Sequence, residues 1–282
     1  MSDDVVVVVG AGGMGETIAR RIGAGRQVLL GDFNEELLGR LEGELSGDGF
    51  AVTTQRVDVS SRESVAALAA RAAQFGRVTT VVHTAGLSPV QAPVGAILNV
   101  DLLGVAISLD EFARVIAPGG AGVVIASMAG TMAAGQLAAE LEGALALTPT
   151  DELLSLPFLA EGAVADSGAA YGIAKRANQL RVQAASLAWG ERGARVNSIS
   201  PGVISTPMGQ AELAGDSGAM MRGMIAASGT GRVGTPTDIA AAAEFLLGPN
   251  ATFITGTDLL VDGGVVAAVR SGALQLGAPA GD

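Results

Sequence analysis

The chain is predicted to form a single α/β domain, a doubly wound, seven-stranded parallel sheet with helices on both faces. Three observations predict it. Short β-branched apolar runs alternate with longer helix-prone segments, the pattern of a parallel sheet buried on both faces. Polar residues able to do chemistry stand just past the ends of those runs, and in an open parallel sheet those ends line one crevice where ligands bind. Apolar residues make up 49% of the chain and charged ones 16%, which suits a well-buried globular protein and not a disordered one.

The first run, residues 5–9, leads directly into Gly10-Ala11-Gly12-Gly13-Met14-Gly15 and then into a helix-prone stretch. Strand, glycine-rich turn and helix form the Rossmann-type setting in which backbone approaches a pyrophosphate at a helix N-terminus. The second strand, 28–31, ends in Asp32, 22 residues after Gly10, with Phe33 and Asn34 following. An acidic residue there accepts hydrogen bonds from a ribose and repels a 2′-phosphate, so the expected cofactor is NAD and not NADP. Asp32 is equally placed to cap the helix over 34–45.

Strand three, 51–57, delivers Asp58 and Val59, and Ser60-Ser61-Arg62-Glu63 opens a helix running to residue 73. Strand four, 78–82, precedes His83-Thr84-Ala85-Gly86. A long apolar helix is expected over 93–117, then strand five over 123–127 with Ser127 at its end. Strand six, 195–200, closes at Pro201-Gly202, with Ile204 and Thr206 just beyond, and strand seven, 259–261, closes at Asp262-Gly263-Gly264. The domain expected over 1–264 carries an insertion at about 131–167, and 265–282 forms a tail without a motif.

Tyr171 is the only tyrosine and Lys175 the only lysine in the chain. They lie four apart in a helix-prone stretch, so both project from one face. An ammonium beside a phenol favours the phenolate, which makes Tyr171 a general acid/base with a lowered pKa. Every other basic residue is Arg, and a lone Lys here suits a compact point charge that guanidinium cannot replace.

Composition closes several other routes. A net charge of -11 repels nucleic acid and anionic membrane. No cysteine and one histidine remove thiolate chemistry, disulfides and His-rich metal sites, and zero Cys fits a reducing compartment. The acidic start Met-Ser-Asp-Asp is unlike a signal peptide, and 5–9 is too short to span a bilayer. A soluble, cytoplasmic protein with no metal, nucleic-acid or membrane partner is expected.

With Ser127, Tyr171 and Lys175 in place, the sequence resembles the short-chain dehydrogenase/reductase family over about residues 5–264. The resemblance rests on Asp58-Val59, Ala85-Gly86, Tyr171-x-x-x-Lys175, Asn197-x-x-x-Pro201-Gly202-x-x-x-Thr206 and Asp262-Gly263-Gly264. It implies that Ser127 holds the substrate oxygen, Tyr171 exchanges its proton, and Lys175 binds the nicotinamide ribose while lowering the phenol pKa. It further implies that Asp58 and Val59 flank the adenine and that Ile204 and Thr206 hold the carboxamide. Gly10, Gly12, Gly13, Met14, Gly15, Asp32, Phe33, Thr84, Ala85 and Gly86 complete the expected cofactor set. Within the family the chain is similar to the bacterial 3α-hydroxysteroid dehydrogenase/carbonyl reductase branch, through the long insertion, the run from Ala184 to Asn197 and the acid at position 32.

Three positions depart from the family pattern. The glycine turn is one residue short and lacks its Thr, His83 stands where an Asn is usual, and Asp101 aligns with the family's catalytic Asn. Asn99 lies two residues earlier, roughly 200° round an α-helix, and does not substitute.

The reaction expected is NAD(H)-dependent interconversion of a secondary alcohol and a ketone. Segments 131–167 and 208–228, rich in Leu, Ala and Met and including Phe158, are expected to cover the nicotinamide and hold a bulky apolar, steroid-like substrate, with Arg222 their only basic residue. The expected assembly is a homo-oligomer, dimer or tetramer. Two alternatives are a catalytically weak NAD-binding regulatory protein on the same fold and an NAD-using epimerase or dehydratase; the latter usually carries a larger C-terminal domain than the 18 residues after Gly264.

Overall fold

The computed structural model describes residues 3–90 and 92–274. Seven strands, β1 (Asp4–Val9), β2 (Gln27–Asp32), β3 (Ala51–Arg56), β4 (Arg77–His83), β5 (Ile116–Ile125), β6 (Arg195–Pro201) and β7 (Asp258–Val261), form one sheet in the order β3-β2-β1-β4-β5-β6-β7. Every pairing is parallel. Strand order reverses beside β1, where β1 pairs β2 on one edge and β4 on the other, and that switch point opens the crevice at the strand ends.

The helices are α1 (Gly13–Ile22), α2 (Glu35–Gly47), α3 (Arg62–Phe75), α4 (Val94–Ile97), α5 (Gly104–Ala113), α6 (Met128–Ala133), α7 (Ala139–Leu147), α8 (Ser167–Glu191), α9 (Pro207–Ala214), α10 (Gly218–Ala227), α11 (Pro236–Leu247) and α12 (Val265–Arg270). Alternation along β1 sorts them into layers. Val5, Val7 and Val9 pack with α3, α5 and α8, through side chains such as Leu68, Phe112 and Trp189. Val6 and Val8 pack with α1, α2 and α11, through Ile18, Leu41 and Ala243. Both faces of β1 are buried completely, which explains an unbroken run of five valines.

The helix expected over 93–117 differs from the observed one. Helical winding ends at Ala113, and β5 already begins at Ile116. The apolar run is continuous through this junction, but Pro118 has no N–H to donate and Gly119 sits at φ +81°, so helix cannot pass the turn and an irregular register links Val78↔Ile116 to Thr80↔Ala121. Between α4 and α5, Leu98–Leu103 winds as a π-helix. Such widened turns re-aim side chains, often at functional sites, and this one carries Asp101.

The insertion is helical, and instead of covering the nicotinamide as expected most of it turns away from the crevice. Leu145 of α7, Leu153 of the 3₁₀ turn Thr150–Ser155, and Leu159 bury against Ile97, Leu102 and Ala177 of α4, the π turn and α8. Pro149 stands one residue before that 3₁₀ turn and not inside it. Arg176 of α8 forks onto Glu142 at 2.7 and 3.0 Å, and the buried Arg181 donates to the carbonyls of Leu145 and Thr148 and to Thr150 Oγ1. These bonds cap the insertion's helix ends from the side of α8. Residues 265–270 of the tail form α12, whose Val265 packs with Val203, Met221 and Met224; residues 275–282 lie outside the described residues.

Candidate active site

The crevice over the strand ends begins at the glycine turn. Gly10 N donates to Gly31 O at 2.7 Å, and its φ of +92° reverses the chain; a Cβ there would strike Ala85 N at 2.3 Å. Gly12, by contrast, has no heavy atom within 4 Å of where a Cβ would stand, and it precedes α1 without giving it a side-chain cap. The first-turn N–H groups are thus left for an anionic ligand. Gly15 is not a crevice residue: a Cβ there would meet Gly10 O at 1.9 Å, so this glycine lets α1 pack onto the turn.

Gly10, Gly12, Gly13, Met14, Asp32, Phe33, Asp58, Val59, Thr84, Ala85, Gly86 and Thr206 line a cavity of about 670 Å³. This set fits a nicotinamide dinucleotide in chemistry: glycines beside a helix end without a side-chain cap, and an acid at the β2 tip. Asp32 accepts from Ala11 N at 2.7 Å through one oxygen and from Asn34 N at 2.9 Å through the other. The cap of α2 is Asn34, whose side chain accepts from Leu37 N. Asp58 is held by Ser60, whose N and Oγ both donate to Oδ1.

One neighbour was not anticipated. Arg56, at the end of β3, pairs in register with Asp32, and its guanidinium lies 4.3 Å from the centre of the exposed Phe33 ring. No basic residue follows Asp32 in sequence, yet the adjacent strand supplies one.

Met14, Thr84, Gly86, Leu87, Thr206 and Met208 also border a second cavity of about 300 Å³, so the two spaces share a mouth. Ser127, Tyr171, Lys175, Asp101 and Ile204 all line this second space. Ser127 caps α6, accepting from Ala129 N at 3.2 Å, and its hydroxyl is near enough to Tyr171 to favour the phenolate. Lys175 Nζ stands 3.1 Å from Asp101 Oδ2 and 5.3 Å from the Tyr171 ring centre, and it donates to Ile125 O at 3.4 Å. Asp101 is fully buried, with Leu87 N donating to Oδ1 at 2.7 Å. Asn99 lines the dinucleotide crevice instead, its amide turned back to Gly95 O.

This charge arrangement corrects one expectation. Burial pushes the Tyr171 phenol up; Lys175 and Ser127 oppose that, but Asp101 and Glu212 reinforce it, and the net shift is upward. Lys175 is disfavoured as a cation by burial, yet the Asp101 carboxylate and Tyr171 outweigh this and hold its pKa above the ordinary value. His83 is a packing residue, buried against Trp189, Ser108 and Gly122. Burial first, and then the Lys175 charge, lower its pKa to about 3, so it stays neutral.

The second cavity has an unusual wall. Met14, Met128, Met132, Met208, Met220, Met221 and Met224 all line it, seven of the eight methionines in the chain. The segment 208–228 supplies four of them, on or beside α9 and α10, as expected of a cover. The segment 131–167 supplies only Met132, and Phe158 packs with the insertion's own core. Arg222 is turned outward onto Leu213 O. Glu212 of α9, not anticipated from sequence, is part of the lining.

The comparisons agree with this geometry. A family model described as short chain dehydrogenase matches residues 4–139, and one described as Enoyl-(Acyl carrier protein) reductase matches residues 144–266. The chain is 45% identical over 267 residues to the short-chain dehydrogenase/reductase bsc3 of Alternaria brassicicola, covering 95% of this chain and 97% of the relative. The chain belongs to the short-chain dehydrogenase/reductase family. It is 30% identical to 3beta-hydroxysteroid dehydrogenase 2 of Eggerthella lenta over 92% of this chain and 93% of that protein. A solved short-chain type dehydrogenase/reductase from Mycobacterium ulcerans superposes with a TM-score of 0.74 at 25% identity, covering 95% of this chain and 91% of that one.

As a short-chain dehydrogenase/reductase, the protein is an oxidoreductase acting on alcohol and ketone groups with a nicotinamide cofactor. When bound, that cofactor carries the hydride. What the polypeptide offers is a pair of hydroxyls, on Ser127 and Tyr171, in the wall of the second cavity, with a buried ion pair close to the phenol. Among the described residues, no group of His, Cys, Asp and Glu is arranged to hold a metal ion, and no helix is long and apolar enough to cross a membrane.

Proposed function

We propose that this chain is an NAD(H)-dependent dehydrogenase/reductase that interconverts a secondary alcohol and its ketone on a bulky apolar, steroid-like substrate. The observation that carries the reading is the convergence of Ser127, Tyr171 and the Lys175–Asp101 pair where a dinucleotide-shaped crevice opens into a methionine-lined cavity. Ser127 and Tyr171 hold the substrate oxygen, and Tyr171 Oη gives or takes its proton. Lys175, held by Asp101, reaches the nicotinamide ribose. Asp32 at the tip of β2 supports NAD, because a carboxylate there would repel a 2′-phosphate. Methionine side chains adapt their shape to irregular apolar surfaces, and the 30%-identical relative named for a 3β-hydroxysteroid supports an alicyclic alcohol. A homo-oligomer is supported by the exposed Phe245 and Phe253, which precede the edge strand β7.

Replacing Tyr171 with Phe keeps the ring and removes the proton. The expected outcome is loss of turnover by ~10²- to 10⁴-fold, the usual worth of one acid/base group, while NADH still binds. Fluorescence titration with NADH and a turnover assay with a panel of alicyclic ketones, on the same preparation, check it. Near-normal turnover removes the role given to Tyr171. A wild-type protein that binds NADH but turns over no alcohol or ketone favours the regulatory reading.

A further inference from the structure

Among the described residues, Glu212 is the one ionisable group lining the second cavity that belongs to neither the Lys175–Asp101 pair nor the reacting hydroxyls. It projects from α9, on the methionine-rich cover, and is half-buried. Burial raises its pKa, and Ser88 tempers that effect. The Ser88 hydroxyl is completely buried and has no hydrogen-bond partner among the described residues. Glu212 is also near enough to Tyr171 for its charge to oppose ionisation of the phenol. A carboxylate in a wall of seven methionines is costly unless something bonds to it. Among the described residues, no Arg or Lys forms an ion pair with it.

From this placement we infer that Glu212 is a specificity-determining residue that accepts a hydrogen bond from a second hydroxyl of the substrate, remote from the reacting carbon. The inference rests on the alcohol/ketone reading above and deepens it: the substrate class is a hydroxylated alicyclic ketone, or the corresponding diol, and not a bare apolar ketone. The apolar body fills the methionine-lined space, the reacting oxygen meets Ser127 and Tyr171, and the remote hydroxyl meets the carboxylate on the cover. A carboxylate only accepts hydrogen bonds, so a hydroxyl donor is recognised and an acidic group is repelled. Binding such a substrate also satisfies the acceptor that burial leaves short of partners, which favours a ligand with a hydroxyl at that point.

The test uses the full-length protein with NADH and matched pairs of cyclic ketones, one member carrying a remote hydroxyl and the other lacking it, from single rings up to dihydrotestosterone and its 17-deoxy counterpart. In the wild type the hydroxylated member of at least one pair is expected to show roughly tenfold to hundredfold higher kcat/KM, the range for a hydrogen bond to a charged group. Glu212→Leu should bring that ratio close to one, mainly through KM, and Glu212→Gln, which keeps an acceptor oxygen, should retain part of it. NADH titration of both variants verifies that they are folded. Turnover without discrimination in any pair, or a ratio unchanged in Glu212→Leu, overturns the role of Glu212 and leaves the alcohol/ketone reading standing. Absence of turnover on every ketone by a protein that binds NADH overturns both.

Discussion

A carboxylate buried beside the Lys175 ammonium changes what Tyr171 does at neutral pH. The charged and polar groups facing the phenol are Lys175, Asp101, Glu212 and Ser127, and with burial included their balance keeps it protonated. A protonated phenol is ready to donate to a carbonyl, so reduction should hold up through neutral pH. Oxidation needs the phenolate and should rise towards alkaline pH. Asp101→Asn removes a negative charge that opposes ionisation and frees the Lys175 charge to act on the ring. The phenol pKa should then fall, moving the rising limb of oxidation to lower pH by about one unit, on the order of 1.4 kcal/mol. The amide is close in size to the carboxylate and still accepts from Leu87 N, so the fold should tolerate it. Profiles of kcat/KM against pH for both proteins check this; superimposable limbs would remove Asp101 from the charge balance of the site.

At the scale of elements, the tips of adjacent strands decide cofactor choice. Asp32 ends β2 and Arg56 ends β3, in register, with the Arg stacked over Phe33. The acid opposes a 2′-phosphate, and the neighbouring guanidinium is free to meet one once the acid is gone. Asp32→Ser should therefore raise the efficiency with NADP at least tenfold, ~1.4 kcal/mol, and Arg56→Ala added to it should take most of that gain away. Steady-state kinetics with both cofactors on the single and double variants measure the coupling. Equal gain with and without Arg56 would mean that only repulsion matters. Asp32 and the glycine turn were legible because their spacing follows from strand, turn and helix alone. Arg56 was not, since only the β2–β3 register brings residues 24 apart in sequence into contact. Glu212 and Ser88 were hidden for the same reason. The seven strands were legible because burial on both faces demands apolar β-branched runs, whereas the early start of β5 was masked by an apolar composition that serves helix and strand equally.

Across the whole molecule, the insertion acts as a brace behind the active-site helix and not as a door in front of it. Its leucines complete the core shared by α4, the π turn and α8, and Arg176, next to Lys175 in sequence, is anchored to Glu142 of α7. Sequence composition announced an apolar helical segment but carried no information on which side of α8 it packs. If the brace is integral, its core should unfold with the sheet in a single transition. Leu153 is fully buried in the insertion, and truncating a buried leucine to Ala typically costs ~2–5 kcal/mol. Leu153→Ala is thus expected to lower the global unfolding midpoint in urea without changing the slope of the transition, with loss of far-ultraviolet dichroism and loss of NADH binding coinciding. The mutated side chain lines neither cavity, so any effect on the cofactor must travel through the π turn, α4 or α8. A loosely attached insertion predicts the opposite: an unmoved midpoint, with faster amide exchange confined to α7 and the neighbouring 3₁₀ turns. Denaturation monitored by both signals, paired with residue-resolved hydrogen exchange, separates a brace that stabilises the position of Lys175 from an ornament on the surface.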